Sequence, residues 1–494
     1  MFEVKYTDLA GRIGVIETKH GRLETPALLP VIDVMRQEVP LTVIEELGYK
    51  AVITNSYLVY KRWGGNVKSI HDLLGFNGIV MTDSGAYQIL EYGGIDIDQE
   101  TILTYQKSLD VDIGVILDVP TGDSDHSTAM KTVKATLERA KEALSIIDPS
   151  GDDTIWVLPI QGGRYLDLIE FAVRESLKLP YRMYSLGSPT VFLEKYKYDV
   201  IGDMVYTARK TLPWGRPLHL FGAGHPLIIP YMVALGVDTF DSASYILYAR
   251  DNRVITPTGV HKLEQLDYMP CSSSVCNKYT PKDLLELPRN ERTKILAIHN
   301  LEVINAAIRG VKQAIRENRL WELLESFSTK HRASYELFRK FRKYHSMLDL
   351  YTPSTIPNPR GRRLISPRDL WNPIVTRHYR YMLLNHKPSS NTINLFPPSY
   401  ELCGTISFGN DYVFLPFFGP VPVALCRSYP YSQHDTPSPP DETVCNTASQ
   451  ALTVFIVKNN VSRIRIFRCR EIPCIWFILT RLRRIKGLDI ECYD

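Results

Sequence analysis

The sequence predicts an α/β protein built on a TIM-type (β/α)8 barrel, and three observations predict it. Short β-rich apolar runs alternate with amphipathic helical stretches through the first half of the chain. Eight such runs fit in roughly 250 residues, the usual size of a closed β/α barrel. Polar residues stand repeatedly where those runs end, and a barrel gathers such ends at one mouth.

Taken in order, the runs are "ALLPVI" (27–32), "AVITN" (51–55), "GIVMTD" (78–83) and "GVILD" (114–118). They continue with "IWVLPIQ" (155–161), "MYSLG" (183–187), "LHLFG" (218–222) and "VDTFD" (237–241). The stretches "STAMKTVKATLERAKEALSII" and "RYLDLIEFAVRESLKL" carry apolar residues at three- and four-residue intervals, as crossover helices should. A doubly wound open sheet is the alternative, but no glycine-rich dinucleotide fingerprint follows the first strands. The strand ends put Asn55 with Ser56, Asp83, Asp118, Gln161, Gly187, Gly222 and Asp241 around one rim.

Composition narrows the function classes. With 44% hydrophobic and 23% charged residues the chain reads as an ordinary globular protein. Charges scattered through "MFEVKYTDLAGRIGVIE" argue against a signal peptide, and no apolar run is long enough to span a membrane. The expected location is cytoplasmic. No cysteine precedes Cys271, and six of the eight lie from Cys403 onward, which predicts reduced thiols rather than a disulfide framework. The net charge of +4 hides basic clusters between Lys330 and Arg380 and from Lys458 to Lys486, readable as solvated faces or as a polyanion footprint.

Carboxylates on one rim suit cleavage of a glycosidic bond. One attacks the anomeric carbon and another moves the leaving group's proton. A third carboxylate with a carboxamide suits a purine: the carboxylate accepts N–H groups of guanine while Gln serves its acceptor edge. Tyr87 and Phe221 could stack on the two faces of the base, and the glycines let backbone approach it. The residues alone thus point to a barrel enzyme acting on a glycosidic bond, with a purine as the candidate base.

"MTDSGAYQ" (81–88), "ILDVPT" (116–121), "PIQGG" (159–163), "FGAGHP" (221–226) and "GVDTFDSASYILYARD" (236–251) together resemble the tRNA-guanine transglycosylases. With "YMPCSSSVCNKYTPKDLLEL", the wording is similar to the archaeal, archaeosine-pathway branch. The resemblance implies Asp241 as the nucleophile toward C1′, leaving a covalent tRNA–aspartate, and Asp83 as the general acid/base. It implies Asp118 and Gln161 as the base-reading pair, and Tyr87 and Phe221 as the stacking sandwich. Gly187 and Ser188 stand where the family often has Gly-Gly, so Ser188 is a mild departure. The implied reaction exchanges guanine at position 15 in the D-arm of tRNA for the free base 7-cyano-7-deazaguanine. A homodimer is implied as well. The rival readings are a non-catalytic tRNA-binding homologue and a queuine-type anticodon enzyme.

The family carries zinc on a C-x-C-x-x-C run and a downstream His. Here Cys271, Cys276 and His299 match, but the middle position is Ser273. Three readings stay open: zinc with a weaker fourth ligand, no metal, or a cysteine supplied from the C-terminal part. Cys469 and Cys474 read as core residues.

The resemblance divides the chain into a catalytic barrel (1–345) with a Cys/His subdomain near 256–325 and C-terminal helices, a first accessory domain (346–425), and a second, α+β one (426–494). The Pro-rich "YTPSTIPNPRGRR" places a break near Asp349, and "RIRIFR" alternates as a half-buried strand. Archaeal members usually add an RNA-binding domain of the PUA type. None is recognised here, so the expectation is that a separate chain supplies it or that the basic surfaces hold the tRNA.

Overall fold

The computed structural model describes residues 2–86, 98–356, 361–398, 403 and 409–494. It forms two compact units, residues 1–316 with 323–340, and 317–322 with 341–494.

The first unit opens with an antiparallel sheet that the alternation of the sequence did not announce. Its strands are β1 (Phe2–Asp8), β2 (Gly11–Thr18) and β3 (Gly21–Glu24). Eight parallel strands follow: β4 (Ala27–Pro30), β5 (Ala51–Asn55), β6 (Ile79–Asp83) and β7 (Ile113–Val115), then β8 (Ile155–Ile160), β9 (Met183–Leu186), β10 (Leu218–Leu220) and β11 (Thr239–Ser242). Each pairs with its neighbour in chain order, β11 returns to β4, and a Val31–Ile53 bridge closes the ring. This is the expected TIM-type barrel.

Side-chain parity fills the barrel. Ala27, Leu29, Ala51, Ile53, Ile79, Met81, Ile113, Val115, Val157 and Met183 form one buried cluster with Ile16 and Leu23. The N-terminal sheet therefore plugs the end of the barrel where the strands begin. Arg12 on β2 reinforces the plug: its guanidinium grips both oxygens of Asp238, at 2.7 and 2.6 Å, with both side chains fully buried. Such a bidentate pair keeps two desolvated charges neutralised in one geometry.

After β11 comes a hairpin, β12 (Arg253–Thr256) and β13 (Gly259–Lys262), then the long helix Arg289–Glu317. Buried Asn300 pins that helix by donating to the carbonyls of Tyr245 and Arg253 and accepting the N–H of Ile255.

The second unit contains a two-stranded pair, β14 (Arg362–Arg363) and β18 (His434–Asp435), and a five-stranded sheet ordered β17-β16-β15-β19-β20. The sheet strands are β15 (Thr392–Phe396), β16 (Asp411–Leu415), β17 (Gly419–Pro422), β19 (Arg463–Phe467) and β20 (Asp489–Tyr493). β15 and β19 pair in parallel, so segments on both sides of residue 425 share one sheet. On β19, Ile464 and Ile466 are buried between outward arginines, as the alternation predicts. Arg463 and Arg465 reach the carboxylates of Asp489 and Glu491 on β20, so part of the basic tail is neutralised within the sheet.

The cysteines correct the reduced-thiol expectation. Cys403–Cys426, Cys445–Cys474 and Cys469–Cys492 are disulfides within the second unit, and Cys271–Cys276 is one in the first. Cys469 is indeed buried, but it and Cys474 bond to different partners. Chain spacing concealed the three bridges of the second unit because each joins segments adjacent only after folding: Cys469 follows β19 and Cys492 lies on neighbouring β20.

Candidate active site

Asp83 is the last residue of β6 and shares the parity of the core-facing Ile79 and Met81, so its side chain turns to the barrel axis at the mouth. The Ser56 hydroxyl holds its carbonyl at 2.8 Å. Asn55, also a rim candidate, serves instead as a helix cap: its side chain accepts the N–H of Leu58. Asp118 lies three residues beyond β7, which stops at Val115 rather than running to 118. Arg139 fixes the irregular segment by donating to the Asp118 carbonyl at 2.8 Å.

Asp241 stands on β11, with Oδ1 accepting the N–H of Gly222 at 2.8 Å and lying 3.1 Å from Nε2 of His219. Gly222 has φ +68°, a left-handed conformation that glycine adopts without cost and that turns its N–H to the carboxylate. Oδ2 of Asp241 carries no hydrogen bond among the described residues. One oxygen is thus anchored while the other is left for a reaction partner.

His219 is the residue that the sequence reading passed over. It is fully buried, and its Nδ1 lies 3.0 Å from the Thr239 hydroxyl. The tautomer that satisfies every group has the Thr239 hydroxyl donating to Nδ1 and Nε2–H donating to Asp241. The available signal was parity: His219 precedes Phe221 by two residues on the strand beside β11 and pairs with Thr239.

The electrostatics single out two carboxyls. Burial, then repulsion from Asp118 and Asp241, raises the Asp83 carboxyl from 3.8 to about 7. Burial raises Asp118 to about 6, opposed by its hydrogen bond from Gln161. A carboxyl near neutrality can both give and take a proton at physiological pH.

Around Asp118 lies a tight polar network. Gln161 Nε2 donates to Asp118 Oδ2, while Gln161 Oε1 accepts from Thr121 N at 3.0 Å and from the Ser188 hydroxyl at 3.1 Å. A Cβ on Gly187 would overlap the Gln161 carboxamide, so the backbone there approaches as closely as a side chain permits. Ser188 has φ +60°, which explains why glycine suits the position; its hydroxyl compensates by also accepting the N–H of Gly122 at 3.1 Å. Phe221 is partly buried and packs edge-on against His219, with ring centroids 4.6 Å apart. Tyr87 lies outside the described residues.

Apart from the mouth, Cys271, Cys276 and His299 come together as the sequence proposes. His299 Nδ1 lies 3.8 and 3.6 Å from the two sulfurs, close to the roughly 3.6 Å edge of a tetrahedral zinc site with one thiolate and one imidazole. Its Nε2 is committed to the carbonyl of Ile255 at 2.9 Å, which leaves the Nδ1 lone pair facing the sulfurs. The Ser273 hydroxyl is 2.8 Å from the same nitrogen. The donors fit zinc when the thiols are reduced; joined as a disulfide, the sulfurs are occupied by each other. A cysteine from the C-terminal part does not complete the set, because those six pair among themselves.

A mouth with an anchored carboxylate, a second carboxyl near neutrality, and a carboxamide–carboxylate pair can break and remake a glycosidic bond to a base carrying N–H groups. Comparison with known proteins agrees. Residues 8–333 match the family model described as queuine tRNA-ribosyltransferase. The chain is similar to a protein of Aeropyrum pernix named tRNA-guanine(15) transglycosylase, 49% identical over 96% of this chain and 95% of the relative. It is 46% identical to one of that name from Saccharolobus solfataricus, covering 96% and 97%. A third, from Pyrococcus abyssi, is 38% identical over 88% of this chain and 70% of the relative. Among the described residues no helix is long and apolar enough to cross a membrane. A family match over more than half the chain and near-half identity over almost all of it leave one conclusion: this chain belongs to the tRNA-guanine transglycosylase family, in its archaeal branch, and is an enzyme of tRNA guanine transglycosylation.

Proposed function

We propose that the enzyme exchanges guanine at position 15, in the D-arm of tRNA, for 7-cyano-7-deazaguanine, a step of archaeosine formation. The observation that carries the reading is the pairing of an anchored Asp241 with an Asp83 raised to about 7 on one barrel mouth. Asp241 attacks C1′ of the nucleoside, forming a C1′–O bond as the C1′–N9 bond breaks. Protonated Asp83 gives its proton to the departing guanine. The incoming base then loses its N9 proton to Asp83 and displaces Asp241 from C1′. Two displacements at one carbon retain its configuration.

Asp118 accepts the base's N–H groups, Gln161 reads its acceptor edge, and backbone at Gly187 and Ser188 closes on it. Phe221 stacks on one face and Tyr87 on the other. Reaching a base inside the folded tRNA elbow requires opening the D-arm or flipping the nucleotide. Zinc, when bound by Cys271, Cys276 and His299, supplies a structural cross-link rather than chemistry at the mouth. Further partners in this reading are a second copy of the chain and a separate chain carrying a PUA-type RNA-binding domain. Work on tRNA places the enzyme in the cytoplasm.

The test is tRNA-dependent incorporation of labelled guanine, with wild type and Asp241→Asn in parallel. Incorporation by the wild type alone, lost in tRNA mutated at position 15, supports the reading. Incorporation that follows the anticodon would assign the queuine-type reaction instead. Binding without exchange, even with 7-cyano-7-deazaguanine supplied, would mark a silent homologue.

A further inference from the structure

We propose that His20, His71 and Asp112 form a divalent-metal site at the barrel end opposite the catalytic mouth, taking an ion such as Zn2+, Co2+ or Ni2+. The three side chains come from distant segments: the β2–β3 turn, the short helix Ile70–Leu74, and the residue preceding β7. One donor atom from each lies within 4.8 Å of the others.

Asp112 is fully buried and held by backbone on both oxygens. Oδ1 accepts the N–H of His20 at 3.0 Å, and Oδ2 accepts the N–H of Val80 at 2.9 Å. Oδ1 also lies 3.1 Å from His20 Nδ1, and Oδ2 lies 3.4 Å from His71 Nε2. Donors sitting 2.0–2.2 Å from a tetrahedral zinc are about 3.3 Å apart, so each imidazole stands at ligand spacing from one oxygen of Asp112, whose carboxylate would span the ion.

His71 supplies the second argument. Its Nδ1 faces the Phe76 carbonyl at 3.1 Å, a bond that needs the proton on Nδ1. Nε2 is sealed from solvent and faces Oδ2 of Asp112 as an ion-pair contact at 3.4 Å. A lone pair against a carboxylate requires a cation between them, either a proton or a metal. The carbonyl on the far nitrogen and the backbone N–H groups on the carboxylate are the outer contacts that metal-ligating His and Asp carry. The two imidazole rings lie against each other, with centroids 4.0 Å apart and planes tilted by 46°, so both side chains are held at the same spot. A cleft of about 450 Å3 lined by His20, Lys50 and Asn77 gives access.

Two imidazoles and one carboxylate favour zinc-like ions over Mg2+ or Ca2+, which seek all-oxygen shells. An ion here would cross-link the N-terminal plug to the barrel, at the face of the fold that serves stability rather than catalysis.

The experiment uses the full chain carrying Cys271→Ser and Cys276→Ser, which silences the other cluster. Metal-stripped protein is titrated with Co2+ and followed by visible absorption and calorimetry. One equivalent is expected to bind without thiolate charge-transfer bands, to be displaced by Zn2+, and to raise the melting temperature. His20→Ala, a half-exposed position, should weaken binding by about 100-fold or more. If the double variant folds poorly, wild type should bind one equivalent more than His20→Ala. No Co2+ uptake by the parent, or equal uptake in His20→Ala and His71→Gln, would mean that a proton alone fills the site and would overturn the proposal.

Discussion

Nε2 of fully buried His219 lies 3.1 Å from Oδ1 of Asp241, so the carboxylate proposed as the nucleophile is held from beneath by a side chain sealed in the barrel. With the Gly222 N–H at 2.8 Å on the same oxygen, this bond fixes the direction of Oδ2. His219 is therefore a positioning residue. Removing one hydrogen bond to a charged group costs about 1.5–3 kcal/mol, which predicts a 10- to 100-fold loss of kcat in His219→Ala with little change in the KM for tRNA. His219→Gln keeps a donor at that reach and should recover much of the rate. Equal losses in both variants would assign His219 a packing role only.

The raised carboxyls predict the pH profile. In the proposed two-step reaction the first half needs Asp83 protonated, so exchange should fall above about 7, where that proton is lost. The second half-reaction needs it ionised, and base reading needs an anionic Asp118, so exchange should also fall below about 6. The carboxyls interact, and the two limbs belong to the set rather than to single residues. Asp83→Asn should lose roughly 10²–10⁴ in rate and lose the alkaline limb with it. An unchanged alkaline limb in that variant would remove Asp83 from the proton transfers.

The same shift makes a claim about stability. Burial raises Asp118 from 3.8 to about 6, so its contribution to folding is full below the unfolded value and declines as pH rises through the folded one. Asp118→Asn should therefore melt above wild type at pH 8, and the gap should close near pH 4, while base selection is lost. A site that is less stable than its neutral isostere is the usual trade for function. Identical melting at both pH values would show that the carboxyl is not desolvated in solution.

Gly187 tests the base-reading network from the backbone side. A methyl there overlaps the Gln161 carboxamide, whose partners are Asp118, Thr121 and Ser188. Gly187→Ala should raise the KM for the free base at least tenfold and leave tRNA capture by Asp241 measurable, because the overlap is with a side chain that can turn away. Unaltered base affinity would place the base elsewhere.

How much of this was legible in the sequence follows physical lines. The barrel strands announced themselves because buried parallel strands are short apolar runs between amphipathic helices, and AVITN was read to the residue. Asp83 and Asp241 were legible as carboxylates ending such runs. β7 was overextended because Ile116 and Leu117 continue the apolar run past Val115, where the strand ends. The plug β1–β3 was missed because its half-exposed β1 shows only irregular alternation. His219 was missed because one His inside a strand gives no sign of its partner 22 residues on. The disulfides were missed for the same reason, since pairing is a property of folded neighbours.

Those disulfides give the last prediction. Cys403–Cys426, Cys445–Cys474 and Cys469–Cys492 close loops of 23, 29 and 23 residues, all within the second unit. In the chain-entropy account each such loop stabilises the folded state by about 3–4 kcal/mol through restriction of the unfolded chain. Calorimetry with and without reductant should show the transition of residues 341–494 falling by many degrees while the barrel's moves little. Cys445→Ser with Cys474→Ser should reproduce part of the fall without reductant. In the barrel, reduction has the opposite consequence, because freed Cys271 and Cys276 gain the capacity to share zinc with His299. Zinc added to reduced protein should then raise the barrel transition, and zinc added to oxidised protein should do so less. Eight titratable thiols in freshly denatured, unreduced protein would instead return the cysteines to the reduced state that their spacing first suggested.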